Sequence, residues 1–263
     1  MVNGLARGLD PLLFRRLVLR QIRQDYLENL TGFAWLVLQP LLLLAVYAFV
    51  FTRIFQARIP DSGGVGFVAF LAVAFWPWTA FSESVLKASG AIANNAGLIS
   101  KVAFAREALP LATVTATFLM HGIGYLAVLL VLQLLGTALH WTMLPAALLL
   151  LFVLWLFACA LSLFTSSLQV FVRDLAQMLP PLMTFWFFMT PILYSTTMLP
   201  PPLARIMDWN PMTWFVEQLR GALLFGRFEL DLGGVLMLAG VPVLLVLGLA
   251  WFRRFSGHFE DFL

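Results

Sequence analysis

Charge is scarce in this sequence. Asp, Glu, Lys and Arg make up 11% of its 263 residues, against about 25% in ordinary soluble domains. That scarcity excludes a soluble fold. There is one cysteine, Cys159, which excludes an intrachain disulfide; inside an apolar run, its role is packing. His121, His140 and His258 fall on a predicted span, an outer turn and the tail, a spacing that builds no metal site. The sequence has no G-x-S-x-G elbow, no H-E-x-x-H and no paired-carboxylate constellation, so a catalytic site has little to be built from. It also lacks a G-x-x-x-x-G-K-[ST] loop, so the chain does not hold ATP in the P-loop manner.

What is present is apolar. Hydrophobic residues make up 62% of the chain, with mean hydropathy +0.93, enough for several spans of about 20 residues. The net charge of +3 and pI near 9.4 come from arginines at membrane ends and do not point to nucleic acid. The fold class is an all-α integral membrane protein of about six transmembrane helices, with an N-terminal amphipathic interface helix and short re-entrant helices before the last span.

Pro11 opens a helix predicted to run to about Asn29. Phe14, Val18, Ile22 and Tyr26 form its apolar row, with Arg16, Arg20 and Arg23 opposite and Arg15 the one blemish. Such a helix lies flat on the inner leaflet. With Arg7 added, residues 1–30 are too polar for a cleavable signal peptide. We read residues 1–32 as this cytoplasmic element and 33–263 as the transmembrane domain.

Spans are predicted at 33–55, 67–89, 109–135, 143–163, 178–194 and 234–252. The first carries Trp35 as an interfacial anchor and Gln39-Pro40 near its inner end. Glu83 and Lys87, four apart near the inner end of the second, share a helix face and pair, for structure or for transport. Thr113, Thr115, Thr117, His121, Gly122 and Gly124 suit the third to close helix contacts. Residues 166–174 are expected to return the chain to the inner surface. Residues 195–232 are too polar for a full span and read as re-entrant or interfacial pieces. Arginine and lysine sit mostly on one side: Arg53, Arg58, Arg205, Arg220 and Arg227 alone fall outside. The positive-inside rule then places both termini in the cytoplasm.

Between the second and third spans lies a polar island, residues 94–107. Leu98, Ile99, Val102 and Phe104 give it an apolar side, and Lys101, Arg106 and Glu107 give it charge. It reads as a short amphipathic helix that seats in a groove of a soluble partner or rests on lipid headgroups. Span centres contain no Asp or Glu, whereas ion-coupled carriers bury carboxylates there. The energy for uphill work is therefore expected from a separate ATPase at the cytoplasmic face. Trp76, Trp78, Phe185, Trp186, Phe187, Phe188 and Tyr194 either line a path along which a glycan slides on flat ring faces or pack the bundle and its interfaces.

Several fragments in fixed order carry a resemblance. They are Gly32-Phe33-Ala34-Trp35 with Gln39-Pro40, Trp76-Pro77-Trp78 with Phe81-Ser82-Glu83, and Asn94 through Leu98-Ile99, Lys101-Val102, Phe104 and Arg106-Glu107 to Leu109-Pro110. Arg173-Asp174 with Pro180, Pro191-Ile192-Leu193-Tyr194, and Asn210-Pro211-Met212-Thr213 with Glu217 and Arg220 complete them. Over nearly its whole length the chain resembles permease subunits of type-2 ABC exporters of lipid-linked polysaccharides, O-antigen above all, with capsule and teichoic acid exporters as relatives. It departs from that pattern at Ala105, where proline is common, and at Met212, where leucine is usual.

The resemblance implies a half-transporter in the bacterial inner membrane. Two copies form the path, and two copies of a P-loop ATPase beneath them hold ATP and magnesium. Residues 94–107 would be the coupling helix and 195–232 the re-entrant outer mouth. The cargo would be a polyprenyl-diphosphate-linked glycan, with Arg15, Arg16, Arg20 and Arg23 drawing its diphosphate or general lipid headgroups. The competing readings are export of a drug or small lipid by the same architecture, and a membrane-embedded transferase.

Overall fold

The computed structural model describes residues 10–27, 32–56 and 65–262, with backbone alone at residues 26, 27 and 32–37. Arg7, Arg58, the turn at 60–64 and the side chains of Tyr26 and Trp35 lie outside the described residues. What is described is helical, with no strand.

Asp10 accepts a hydrogen bond from the Leu12 N–H at 2.9 Å and caps α1 (Pro11–Ile22), with Pro11 at the first helical position. At Arg23–Leu27 the helix passes into a π turn, and its expected end near Asn29 lies outside the described residues. Leu17 and Val18 are buried, with Phe14 and Ile22 packed beside them, while Arg15, Arg16, Arg20 and Arg23 are exposed. α1 thus packs its apolar side on α5 (Ala108–Leu134) and presents its arginines outward.

Among the described residues, four helices are long and apolar enough to cross a membrane: α3 (Phe67–Ser89), α5, α6 (Leu144–Phe171, with the turn before it) and α10 (Leu232–Ser256). Two further apolar helices take the places of the first and fifth expected spans. They are α2 (Gly32–Phe49), extended by a π turn at Val50–Ile54, and the shorter α7 (Leu175–Phe188). α3 is the centre of the bundle. Residues 69–78 are buried without interruption, so its hydrophobic residues cover its whole circumference. It packs against α5 and α6, and α10 packs along α6. Lipid is as apolar as leucine, so these contacts depend on close fit and small residues. Gly124 is such a residue: a Cβ there would lie 2.5 Å from the Trp76 ring.

Two boundaries differ from the expected ones. α6 continues to Phe171, so Ser166 and Ser167 are buried in a helix and not returning along the inner surface. Serine hydroxyls bond carbonyls one turn back and let the helix carry them: Ser167 Oγ donates to the Phe164 carbonyl at 3.1 Å. α7 ends at Phe188, short of the expected Tyr194, because Pro191 lacks an N–H and disfavours helix at the residue before it.

The expected re-entrant region holds two short helices, α8 (Pro201–Asp208, 8 residues) and α9 (Pro211–Phe225, 15 residues), both below the length of a span. Asn210 caps α9 through the Met212 N–H at 3.0 Å. Gly226, at φ 64°, ends it in the left-handed conformation that glycine adopts readily.

Candidate functional site

The polar island is not one continuous helix. A 3-10 turn at Ala93–Asn95 leads into α4 (Ala96–Ile99), and turns and irregular chain follow to Arg106. An α-helix this short has no strength of its own, so packing and ion pairs hold the segment. Ile99 is buried, with Leu98 and Phe104 packed in the same cluster as Leu17, Val18 and Phe252. Glu107 is 6% exposed and accepts from Arg253 Nε at 2.8 Å. Arg106 pairs with Glu260 and donates to the Ser256 carbonyl. Arg20 Nη2 donates to Asn95 Oδ1 at 3.2 Å, tying α1 to the same place. Of the seven residues assigned to coupling, Lys101 and Val102 are exposed, on an outward strip running from Ser100 to Ala103.

Glu83 and Lys87 form the expected pair at 2.8 Å, and the pair is part of a longer chain. His121 Nε2 lies 2.8 Å from the other Glu83 oxygen, and Lys87 lies 3.2 Å from Asp25, which accepts from Gln21. This network joins α1 and its π turn to α3 and α5. Sequence spacing gives Glu83–Lys87 alone; His121 and Asp25 arrive through tertiary packing.

The seven aromatics divide. Trp78, Trp186 and Phe187 form one cluster: Trp78 meets Trp186 and Phe187 with ring centroids 5.9 Å apart in each pair. Tyr47 stacks on Phe187 at 5.9 Å, and Phe81 meets Trp186 edge-on at 5.4 Å. Trp76 sits apart and is buried, its indole donating to the His121 carbonyl at 3.0 Å. Phe185 and Phe188 are exposed on α7. Tyr194 is half-buried and donates to the Phe188 carbonyl at 3.1 Å; burial raises the pKa of its phenol.

At the opposite end of α3 sits a residue whose placement the sequence reading missed. Arg220 is buried and donates to the carbonyls of Phe70, Pro191 and Ile192 at 3.0, 2.6 and 2.6 Å. Its guanidinium lies 3.4 Å above the Phe70 ring, a cation–π contact. The signal was available: Arg220 is one turn after Val216 and beside Leu219 and Leu223, all buried on one face. Trp186 Nε1 donates to Asn210 Oδ1 at 2.8 Å, so α7 is tied to the start of α9.

The model of the family described as ABC-2 type transporter matches residues 13–224. The O-antigen export system permease protein RfbA of Myxococcus xanthus is 31% identical, over 88% of this chain and 86% of its own length. A protein of that name from Klebsiella pneumoniae is 26% identical over 93% of this chain and 92% of its own. The polysialic acid transport protein KpsM of Escherichia coli is 26% identical, over 90% and 91%. With a bundle of apolar helices, a family match along most of its length and relatives that are export permeases, the chain belongs to the ABC-2 type transporter family, as a membrane permease subunit and not an enzyme.

Proposed function

We propose that this chain is the permease of an ATP-driven exporter that moves a lipid-linked polysaccharide of the O-antigen type outward across the bacterial inner membrane. The observation that carries the reading is the likeness, over almost the full length of both chains, to O-antigen export permeases. Two copies of the chain enclose the path, and two copies of a separate ATPase, which holds ATP and magnesium, dock beneath it. The outward strip at Lys101 and Val102 is the contact with that ATPase; Ile99, Arg106 and Glu107 hold the strip in place. The exposed rings Phe185 and Phe188 on α7 face the path, and the α1 arginines Arg15, Arg16 and Arg23 draw the diphosphate of the lipid carrier or membrane headgroups.

The test is co-purification and co-reconstitution with the cognate ATPase. Lys101→Glu and Val102→Asp, both at exposed positions, are expected to leave folding within about 0.5 kcal/mol while weakening the complex or separating ATP hydrolysis from export. Normal export from both variants would remove the docking role. A strain lacking the chain is expected to accumulate its glycan on the cytoplasmic side. A second reading, capsular polysaccharide as cargo, is favoured by the likeness to KpsM and to the capsule polysaccharide export protein CtrC of Neisseria meningitidis; the chemistry of the accumulated glycan decides between them.

A further inference from the structure

We propose that the cleft between α9, the start of α3 and the turn at Thr196–Met198 is a sugar-binding subsite for the glycan as it leaves the transporter. The inference rests on the export reading above and adds a place where cargo is held. The cleft encloses about 480 Å³, within the roughly 300–1,000 Å³ of small-molecule sites. Phe70 and Gly90 mark opposite ends of α3, so the cleft lies at the far end of the bundle from the Lys101 strip.

Its floor is rigid. Arg220 is held by three carbonyls and the Phe70 ring, which uses three of the five N–H groups of a guanidinium. The walls carry planar polar side chains: Glu217 and Gln218 from α9, and Arg227 and Glu229 from the chain after it. Thr196 Oγ1 donates to Glu217 Oε1 at 2.6 Å and fixes that carboxylate. The Phe225 ring adds an apolar surface.

Charge selects the ligand class. Two carboxylates, Glu217 and Glu229, stand against two guanidiniums, Arg220 and Arg227, so the cleft carries no net charge to favour an anion or a cation. It offers acceptors and donors side by side with a ring, which matches a sugar: hydroxyls that both donate and accept, around an apolar C–H face.

The experiment uses the complete permease–ATPase complex in nanodiscs. The probe is a lipid-free oligosaccharide cut from the strain's own exported polysaccharide, followed by saturation-transfer NMR and titration calorimetry. Gln218→Ala, Arg227→Ala and the shape-preserving Glu229→Gln are compared with the parent, and thermal unfolding selects the folded variants. The expected result is probe binding by the parent and at least tenfold weaker binding in the folded variants. No binding by the parent, or unchanged binding in the variants, overturns the subsite even where export continues. Failure of the parent complex to export any glycan overturns the export reading itself, a separate outcome measured in the same preparation.

Discussion

Glu107 and Arg253 are 146 residues apart in sequence and 2.8 Å apart in space. Their contact joins the start of α5 to the last turn of α10, beside the contacts of Arg106 with Ser256 and Glu260. Phe171 at the end of α6 packs on Phe255, Phe259 and Phe262, ring centroids 6.0, 5.9 and 4.9 Å away. The loop between α3 and α5 is therefore fastened to α10 and the tail after it. These charged contacts link the segment that carries the Lys101 strip to α10, which packs along α6.

This fastening predicts a charge-swap result. Glu107 is almost fully buried, so Arg253→Ala leaves its carboxylate without this donor, at about 1–3 kcal/mol. Arg253→Glu adds repulsion and is expected to lower the unfolding temperature further. Combining Arg253→Glu with Glu107→Arg should recover part of the loss, which a double-mutant cycle on thermal unfolding measures. Strict additivity would mean that the contact contributes nothing.

The contact of Gly124 with Trp76 gives a second test. Alanine gains about 1 kcal/mol of helix propensity over glycine, but its Cβ would sit 2.5 Å from the indole, and overpacking of this kind costs about 1–3 kcal/mol. Gly124→Ala is therefore expected to be neutral to mildly destabilising, and Gly124→Val clearly destabilising. Replacing Trp76 by Phe removes the ring atoms that clash. Gly124→Ala should then cost less in the Trp76→Phe background than in the parent, read as the difference in unfolding temperature.

Arg220 supplies the third. Arg220→Ala takes a donor from three carbonyls and exposes one face of Phe70. At about 1–3 kcal/mol for each buried group left unpaired, the loss should be roughly 3 kcal/mol or more, seen as poor recovery of folded protein. Arg220→Lys keeps the charge but not the planar fork and should fall between alanine and the parent in detergent thermal unfolding. Equal stability of all three would mean that α9 does not depend on this anchor.

These residues also show how far the sequence could be read. Hydropathy located the second, third and last spans to within a few residues because each is long and uniformly apolar. Polarity marked residues 195–232 as too short in apolar run for a span, while the Asn210-Pro211 start and Gly226 stop of α9 are local signals that this reading did not use. Ser166 and Ser167 misled it, since side-chain polarity says little about a helix that can satisfy the hydroxyl internally. The fastening of Glu107 to Arg253, and of Glu83 to His121, had no local signal, for each partner lies on another helix. The polar island was visible as an island. Which of its side chains are spent inside the chain and which face outward depended on packing against α1 and α10.

Orientation provides the last prediction. Cys159, the one cysteine of the sequence, is buried and 1% exposed, so a membrane-impermeant maleimide should leave the parent unlabelled and any label on a single-cysteine variant reports the new site. Lys101 and Trp209, the latter 89% exposed, are accessible positions toward opposite ends of the bundle. In spheroplasts Trp209→Cys is expected to react at once, and Lys101→Cys only after the membrane is opened. The sign follows from the arginines, since the α1 and α10 cations gather at the Lys101 end and cationic ends stay in the cytoplasm. Reaction of both from one side would break the arrangement in which an ATPase presses on the strip at Lys101 and Val102 while cargo leaves past Arg220.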